Sequence, residues 1–76
     1  MVDKHNELRN IISTTLGIKK EDIKDDSKFI DDLGADSLDI AELVLNIEDH
    51  FNIKVNDEEV GKFKTVKDVM DYLSRK

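Results

Sequence analysis

The most constraining feature of the sequence is a helical repeat of apolar residues that follows the loop at 33–36. Its members recur at the three- and four-residue spacings that place side chains on one face of an α-helix. They are Ile40, Leu43, Val44, Ile47 and Phe51. The repeat predicts a helix of about four turns, which is stable only if its apolar face packs against the rest of the chain.

The same helix carries a second, shorter apolar stripe on roughly the opposite side. This stripe consists of Leu38, Ala41 and Leu45, with acidic residues around it. One stripe suffices to pack a helix on its own domain, so a second one rimmed by carboxylates indicates a docking face for another protein. The alternative is a helix buried on both sides, but a chain of 76 residues has little material to cover it.

Negative charge is concentrated around this helix. Residues 29–53 contain seven acids and no Lys or Arg, whereas the rest of the chain holds 11 acids and 12 basic residues. The seven are Asp31, Asp32, Asp36, Asp39, Glu42, Glu48 and Asp49. Like charges this close destabilise a helix, so we interpret the acidic field as steering for a basic partner, with a solvated face as the alternative. The acidic balance argues against nucleic acid as a partner.

Three further helices are expected. The first covers 3–16, with Asp3 as its N-cap and Gly17 at its end. Asn56 begins a short third helix at 57–62, and Thr65 with Asp68 begins the last. The apolar faces of the first and last helices are Leu8, Ile11, Ile12 and Leu16, and Val66, Val69, Met70 and Leu73.

The connection at 17–36 is too long to be structureless in so small a chain. We expect it to pack over the helices with short helical turns at 20–23 and 29–33. Its apolar anchors are Ile18, Ile23, Phe29, Ile30 and Leu33. The prediction is therefore an all-α four-helix bundle, with three longer helices, a short third helix and a long structured loop between the first two. It forms one domain over 1–76, and the longest apolar run, at 43–45, is too short to insert in a membrane.

Ser37 stands at the start of the acidic helix, where two interpretations are open. Either Asp36 or Ser37 is the N-cap, and Asp36 with Asp39 three residues later is close to a capping box. If Asp36 caps the helix, the Ser37 hydroxyl is free at the positive end of the helix, where a phosphate group is favoured.

These residues carry a family resemblance. The run from Gly34 to Asp39, followed by Glu42-Leu43 and Glu48-Asp49, resembles the signature of acyl carrier proteins. The resemblance extends from Leu8 to Leu73. It implies that Ser37 carries 4′-phosphopantetheine transferred from coenzyme A, with Asp36, Leu38 and Asp39 as the flanking motif. Because the chain has no Cys, the thiol that holds acyl chains as thioesters would come from this group.

The resemblance also implies partners. They are a phosphopantetheinyl transferase and fatty-acid synthesis enzymes with basic docking patches. The protein itself would be a cytoplasmic monomer and not an enzyme. The partner face would comprise Leu38, Asp39, Ala41, Glu42, Leu45, Glu48 and Asp49. Acyl chains would be sheltered among Phe29, Leu43, Ile47, Val55, Val60, Phe63, Val69 and Leu73.

Alternatives remain open at this point. Ile40 stands where fatty-acid carriers often have Thr, so a specialised carrier for polyketides, aminoacyl groups or D-alanine is one. An unmodified acidic interaction module, with Ser37 only a cap, is another. The acids of the loop do not follow the calcium-loop pattern of alternate acids, a glycine and a final glutamate, so no dedicated metal site is expected.

Overall fold

A computed structural model describes residues 4–75, and over this range the chain forms four α-helices and no β-strand. They are α1 (Lys4–Leu16), α2 (Ser37–Phe51), α3 (Asp57–Val60) and α4 (Val66–Ser74), with a short 3₁₀ helix at Lys20–Asp22. The all-helical architecture that the apolar repeats predict is confirmed. The expected N-cap of α1, Asp3, lies outside the described residues.

The core lies where α1 packs against α2 and α4. Its largest fully buried side chains are Leu8, Ile12, Phe29, Ile47, Val66 and Val69. Ile40 and Phe51, near the two ends of the predicted α2 stripe, are only half-buried, because fewer neighbours cover a helix at its termini. The stripe is nevertheless the face that α2 turns inward, through Leu43, Val44 and Ile47.

The segment before α2 is held to the segment before α4 by a short antiparallel contact. Lys28 pairs with Thr65 across this contact. On either side of it, Phe29 N donates to Lys64 O at 3.0 Å and Val66 N donates to Ser27 O at 3.1 Å. The loop is therefore bonded to the bundle along its backbone as well as through its buried side chains.

One expected anchor of that loop is wrong. Phe29 is buried with 1% of its surface exposed, but Ile30 is 62% exposed. The reason is the turn at 28–33, in which Lys28 O accepts from Asp32 N at 2.9 Å and from Leu33 N at 3.0 Å. Because the chain reverses within this turn, Phe29 points into the core and the residue after it points to solvent.

Helix α3 is shorter than predicted. It ends at Val60, and Gly61 caps it with a φ of −63°, so the expected extension to Lys62 is a turn and not a helix. Its start agrees with the prediction, since Asn56 Oδ1 accepts from Glu59 N at 2.9 Å. No side chain of α3 is fully buried, which leaves this helix weakly attached to the core.

Candidate functional site

The start of α2 is built by a reciprocal pair of carboxylates. Asp36 Oδ1 accepts from Asp39 N at 2.9 Å, and Asp39 Oδ2 accepts from Asp36 N at 3.2 Å. This is a capping box with Asp36 as the N-cap, so Ser37 itself is not the cap, and the interpretation in which Asp36 caps the helix and leaves the Ser37 hydroxyl free is the one observed. Ser37 is the first residue of the helix, and capping does not occupy its hydroxyl.

The Ser37 side chain is exposed, and its hydroxyl makes no hydrogen bond within residues 4–75. The other three serines of the chain are engaged. Ser13 Oγ donates to Ile18 O, Ser27 Oγ accepts from Lys24 N, and Ser74 Oγ donates to Met70 O. Ser37 is therefore the one serine of the described chain with an uncommitted hydroxyl, and it stands at the positive end of a helix of 15 residues.

The loop leading into α2 presents this serine. Gly34 has a φ of +70°, a conformation that side-chain-bearing residues rarely adopt. The next residue, Ala35, is buried, and its N–H donates to Phe29 O at 2.8 Å. The entry to α2 is thus anchored by a buried residue on the inner side, while Asp36 and Ser37 face solvent.

The second stripe of α2 lies on the surface. Leu38 is 80% exposed and Leu45 is 64% exposed, and Ala41 between them is exposed as well. The alternative of a helix buried on both sides is therefore wrong. Two of the acids around this stripe, Glu42 and Asp49, are exposed and make no ion pair or hydrogen bond within the described chain.

The other acids of the expected partner face are already engaged inside the protein. Asp39 is half-buried and belongs to the capping box. Glu48 is half-buried, and its Oε2 accepts from Val55 N at 2.7 Å. The spacing along α2 could not reveal this bond, because the donor lies beyond the end of the helix. The surface next to Glu48 is a shallow depression, which Leu45 and Asp49 line and which the basic residue Lys54 borders.

The residues expected to shelter an acyl chain all belong to the core or pack against it. Seven of them are buried, and Val60 of α3 is half-buried at the edge of the cluster. The seven are Phe29, Leu43, Ile47, Val55, Phe63, Val69 and Leu73. Within residues 4–75 there is no group of three or more His, Cys, Asp or Glu side chains placed to hold a metal ion, and no helix long and apolar enough to span a membrane.

Comparisons with known proteins give matches over most of the chain. The family model described as "Phosphopantetheine attachment site" matches residues 6–73. The "Acyl carrier protein" of Bdellovibrio bacteriovorus is 47% identical over 72 residues, covering 95% of this chain and 92% of that protein. The "Acyl carrier protein" of Chloroherpeton thalassium is 51% identical over 67 residues, covering 88% and 84%. A solved structure, a putative acyl carrier protein from Mycobacterium tuberculosis, has a TM-score of 0.87 at 28% identity and covers 93% of this chain and 95% of its own.

Proposed function

We propose that this chain, which belongs to the acyl carrier protein family, holds its prosthetic group on Ser37 and presents acyl intermediates to the enzymes of fatty-acid synthesis. The protein is a carrier and not an enzyme, and 4′-phosphopantetheine is its covalently attached cofactor. That group supplies the thiol on which acyl chains are held as thioesters, a function that no residue of a cysteine-free chain can perform.

The uncommitted hydroxyl of Ser37 is the single observation that carries the assignment of the attachment site. In the loading reaction, Ser37 Oγ forms a bond to the pantetheine-side phosphorus of coenzyme A and loses its proton to a base of the transferase. The pyrophosphate bond breaks and adenosine 3′,5′-bisphosphate leaves. The nearby N-terminus of α2 favours the phosphate that results, because the free N–H groups of a first helical turn carry partial positive charge.

The exposed stripe of α2 supports the same role. Leu38, Ala41 and Leu45 form the apolar centre of the proposed partner face, and Glu42 and Asp49 offer unpaired carboxylates to Lys or Arg of each enzyme. Exposed ion pairs each contribute less than about 1 kcal/mol. Binding is consequently weak, fast and sensitive to salt, as suits a carrier that must leave every partner.

A role in fatty-acid synthesis, rather than in a specialised pathway, is supported by the negative charge of α2 and of the loop that leads into it. A field of seven acids without Lys or Arg in 29–53 suits repeated docking to several basic surfaces. As part of the same proposal, the protein is a cytoplasmic monomer. A test is chain extension: the loaded carrier is expected to support elongation by purified fatty-acid synthesis enzymes, whereas a specialised carrier would be a poor substrate for them.

The attachment site is tested by intact mass spectrometry before and after incubation with coenzyme A and a phosphopantetheinyl transferase. We expect the gain of one phosphopantetheine in the wild-type chain, no gain in Ser37→Ala and full gain in the matched variant Ser74→Ala. Failure of the folded wild-type chain to gain mass, with the transferase active on another carrier, would overturn the proposal and favour an unmodified acidic interaction module.

A further inference from the structure

Three large apolar side chains are strongly exposed in the described chain, and only two of them lie on α2. These are Leu38 and Leu45 of the proposed partner face; the third is Ile30, in the loop before α2. Isolated exposed apolar residues are ordinary in soluble proteins. Ile30 differs because the loop holds it in place close to the start of α2.

The position of Ile30 is set by hydrogen bonds on both sides of it. Its predecessor, Phe29, is buried, and Phe29 O accepts from the N–H of Ala35 at 2.8 Å. Ala35 is only two residues before Ser37, so this bond brings Ile30 next to the backbone that presents the serine. On the other side, Lys28 O accepts from Asp32 N and Leu33 N, which closes the turn around Ile30.

The charges beside Ile30 match those of the α2 face. Asp31 is exposed and makes no ion pair or hydrogen bond within residues 4–75. Asp32 instead has an internal partner, since its Oδ2 accepts from Lys28 N at 2.8 Å. The loop therefore offers an apolar side chain followed by one free carboxylate, which is the chemistry that Leu38, Leu45, Glu42 and Asp49 present along α2.

We infer that Ile30 and Asp31 form a second contact site for the phosphopantetheinyl transferase, beside Ser37 and in addition to the α2 face. This inference rests on the proposed function of Ser37. The transferase is the partner it fits, because that enzyme alone must bring its own groups to Ser37 Oγ and so must cover the surface around the serine. An enzyme that acts on the acyl group is reached through the prosthetic arm, so contacts with the α2 face suffice for it and it has no need to cover the loop side of the serine.

The test compares Ile30→Ser with the conservative variant Ile30→Leu in steady-state loading by the transferase at low ionic strength. For Ile30→Ser we expect KM for this chain to rise about three- to tenfold, since removal of an apolar side chain that is buried in an interface lowers the affinity by about this factor. We expect kcat within about twofold of wild type, because the serine itself is unchanged. Ile30→Leu should restore the wild-type KM, and the melting temperature of both variants should equal that of wild type because the side chain is exposed.

A second measurement separates the transferase from the other partners. Ile30→Ser is loaded to completion at high transferase concentration and given to an enzyme that acylates the thiol. We expect an unchanged KM in that reaction. An unchanged KM for loading would overturn the inference, as would a rise seen only with the acylating enzyme. Failure of the wild-type chain to be loaded would instead overturn the proposed function.

Discussion

The N–H of Val55 donates a 2.7 Å hydrogen bond to Oε2 of Glu48, which ties the end of α2 to the segment before α3. This bond gives Glu48 a structural role that its neighbour Asp49 does not have. Asp49 is exposed, and its carboxylate has no hydrogen bond or ion pair within the described residues. Two adjacent acids of one helix are thus expected to contribute differently to stability and to partner binding.

Substitution of these two acids by alanine should separate the two roles. We expect Glu48→Ala to lower the free energy of unfolding by about 1 kcal/mol, because it leaves a partly buried N–H without its acceptor. Asp49→Ala should leave stability the same or slightly higher, since it removes one charge from an acidic helix, and should weaken binding to a basic partner. Urea denaturation measures the first effect and titration against a synthesis enzyme the second. Equal stability of the two variants would contradict the role of the bond.

The course of α2 illustrates what the sequence can predict. Its apolar repeat identified the buried Leu43, Val44 and Ile47, and the leftover stripe identified the exposed Leu38 and Leu45. Local rules suffice here because a helix repeats the same geometry at every residue. The Asp36–Asp39 box is local in the same sense, since both partners lie within one helical turn.

What the sequence could not predict depends on contacts between distant segments. The outward direction of Ile30 follows from the turn at 28–33, and that turn is attached to the bundle where Lys28 pairs with Thr65, 37 residues along the chain. The internal bond of Glu48 needs the position of Val55 beyond the helix end. A polar Asp-Asp pair directly after Phe29 and Ile30 was the one available sign that the loop turns outward at this point.

The two glycines at 34 and 61 should respond to alanine in opposite directions. Gly34 has a φ of +70°, so Gly34→Ala is expected to lower the free energy of unfolding by about 1 kcal/mol through backbone strain alone. Gly61 has a φ of −63°, and a Cβ there would lie 3.6 Å from Glu58 O, an ordinary contact. Gly61→Ala should therefore raise the free energy of unfolding by about 0.5 kcal/mol. Urea denaturation of both variants measures this. A lower free energy of unfolding for Gly61→Ala would contradict the helical backbone conformation assigned to position 61 at the end of α3.

The carboxylate at the start of α4 should make the free energy of unfolding depend on pH. Partial burial alone would raise the pKa of Asp68, but hydrogen bonds from the backbone N–H groups of Thr65 and Lys64 and from the Thr65 hydroxyl, with the nearby charge of Lys64, hold that pKa below its ordinary value. The folded state therefore binds this proton less readily than the unfolded state. The resulting stabilisation is complete above about pH 4, near the ordinary pKa of an aspartate, and is lost as the pH falls through the lower folded pKa.

The variant Asp68→Asn tests this pH dependence. It should unfold at lower urea than wild type at pH 7, and the difference between the two should shrink as the pH falls below about 4. Asp71→Asn, an exposed acid of the same helix, serves as the control and should follow the wild-type profile. A constant difference between Asp68→Asn and wild type down to pH 2 would mean that the carboxylate charge contributes nothing at this cap.

Acyl chains of increasing length should enter the core from the side of α3. Burial of each methylene contributes about 0.8 kcal/mol, and α3 offers little resistance, with four residues and no fully buried side chain. We expect the methyl resonances of Leu43, Ile47 and Val60 to shift progressively as the chain on the loaded protein grows from two to eight carbons. The methyls of Leu38 and Leu45 should not shift, because they face solvent on the opposite side of α2. Shifts confined to those exposed methyls would place the chain outside the bundle, and the weak attachment of α3 would then need another explanation.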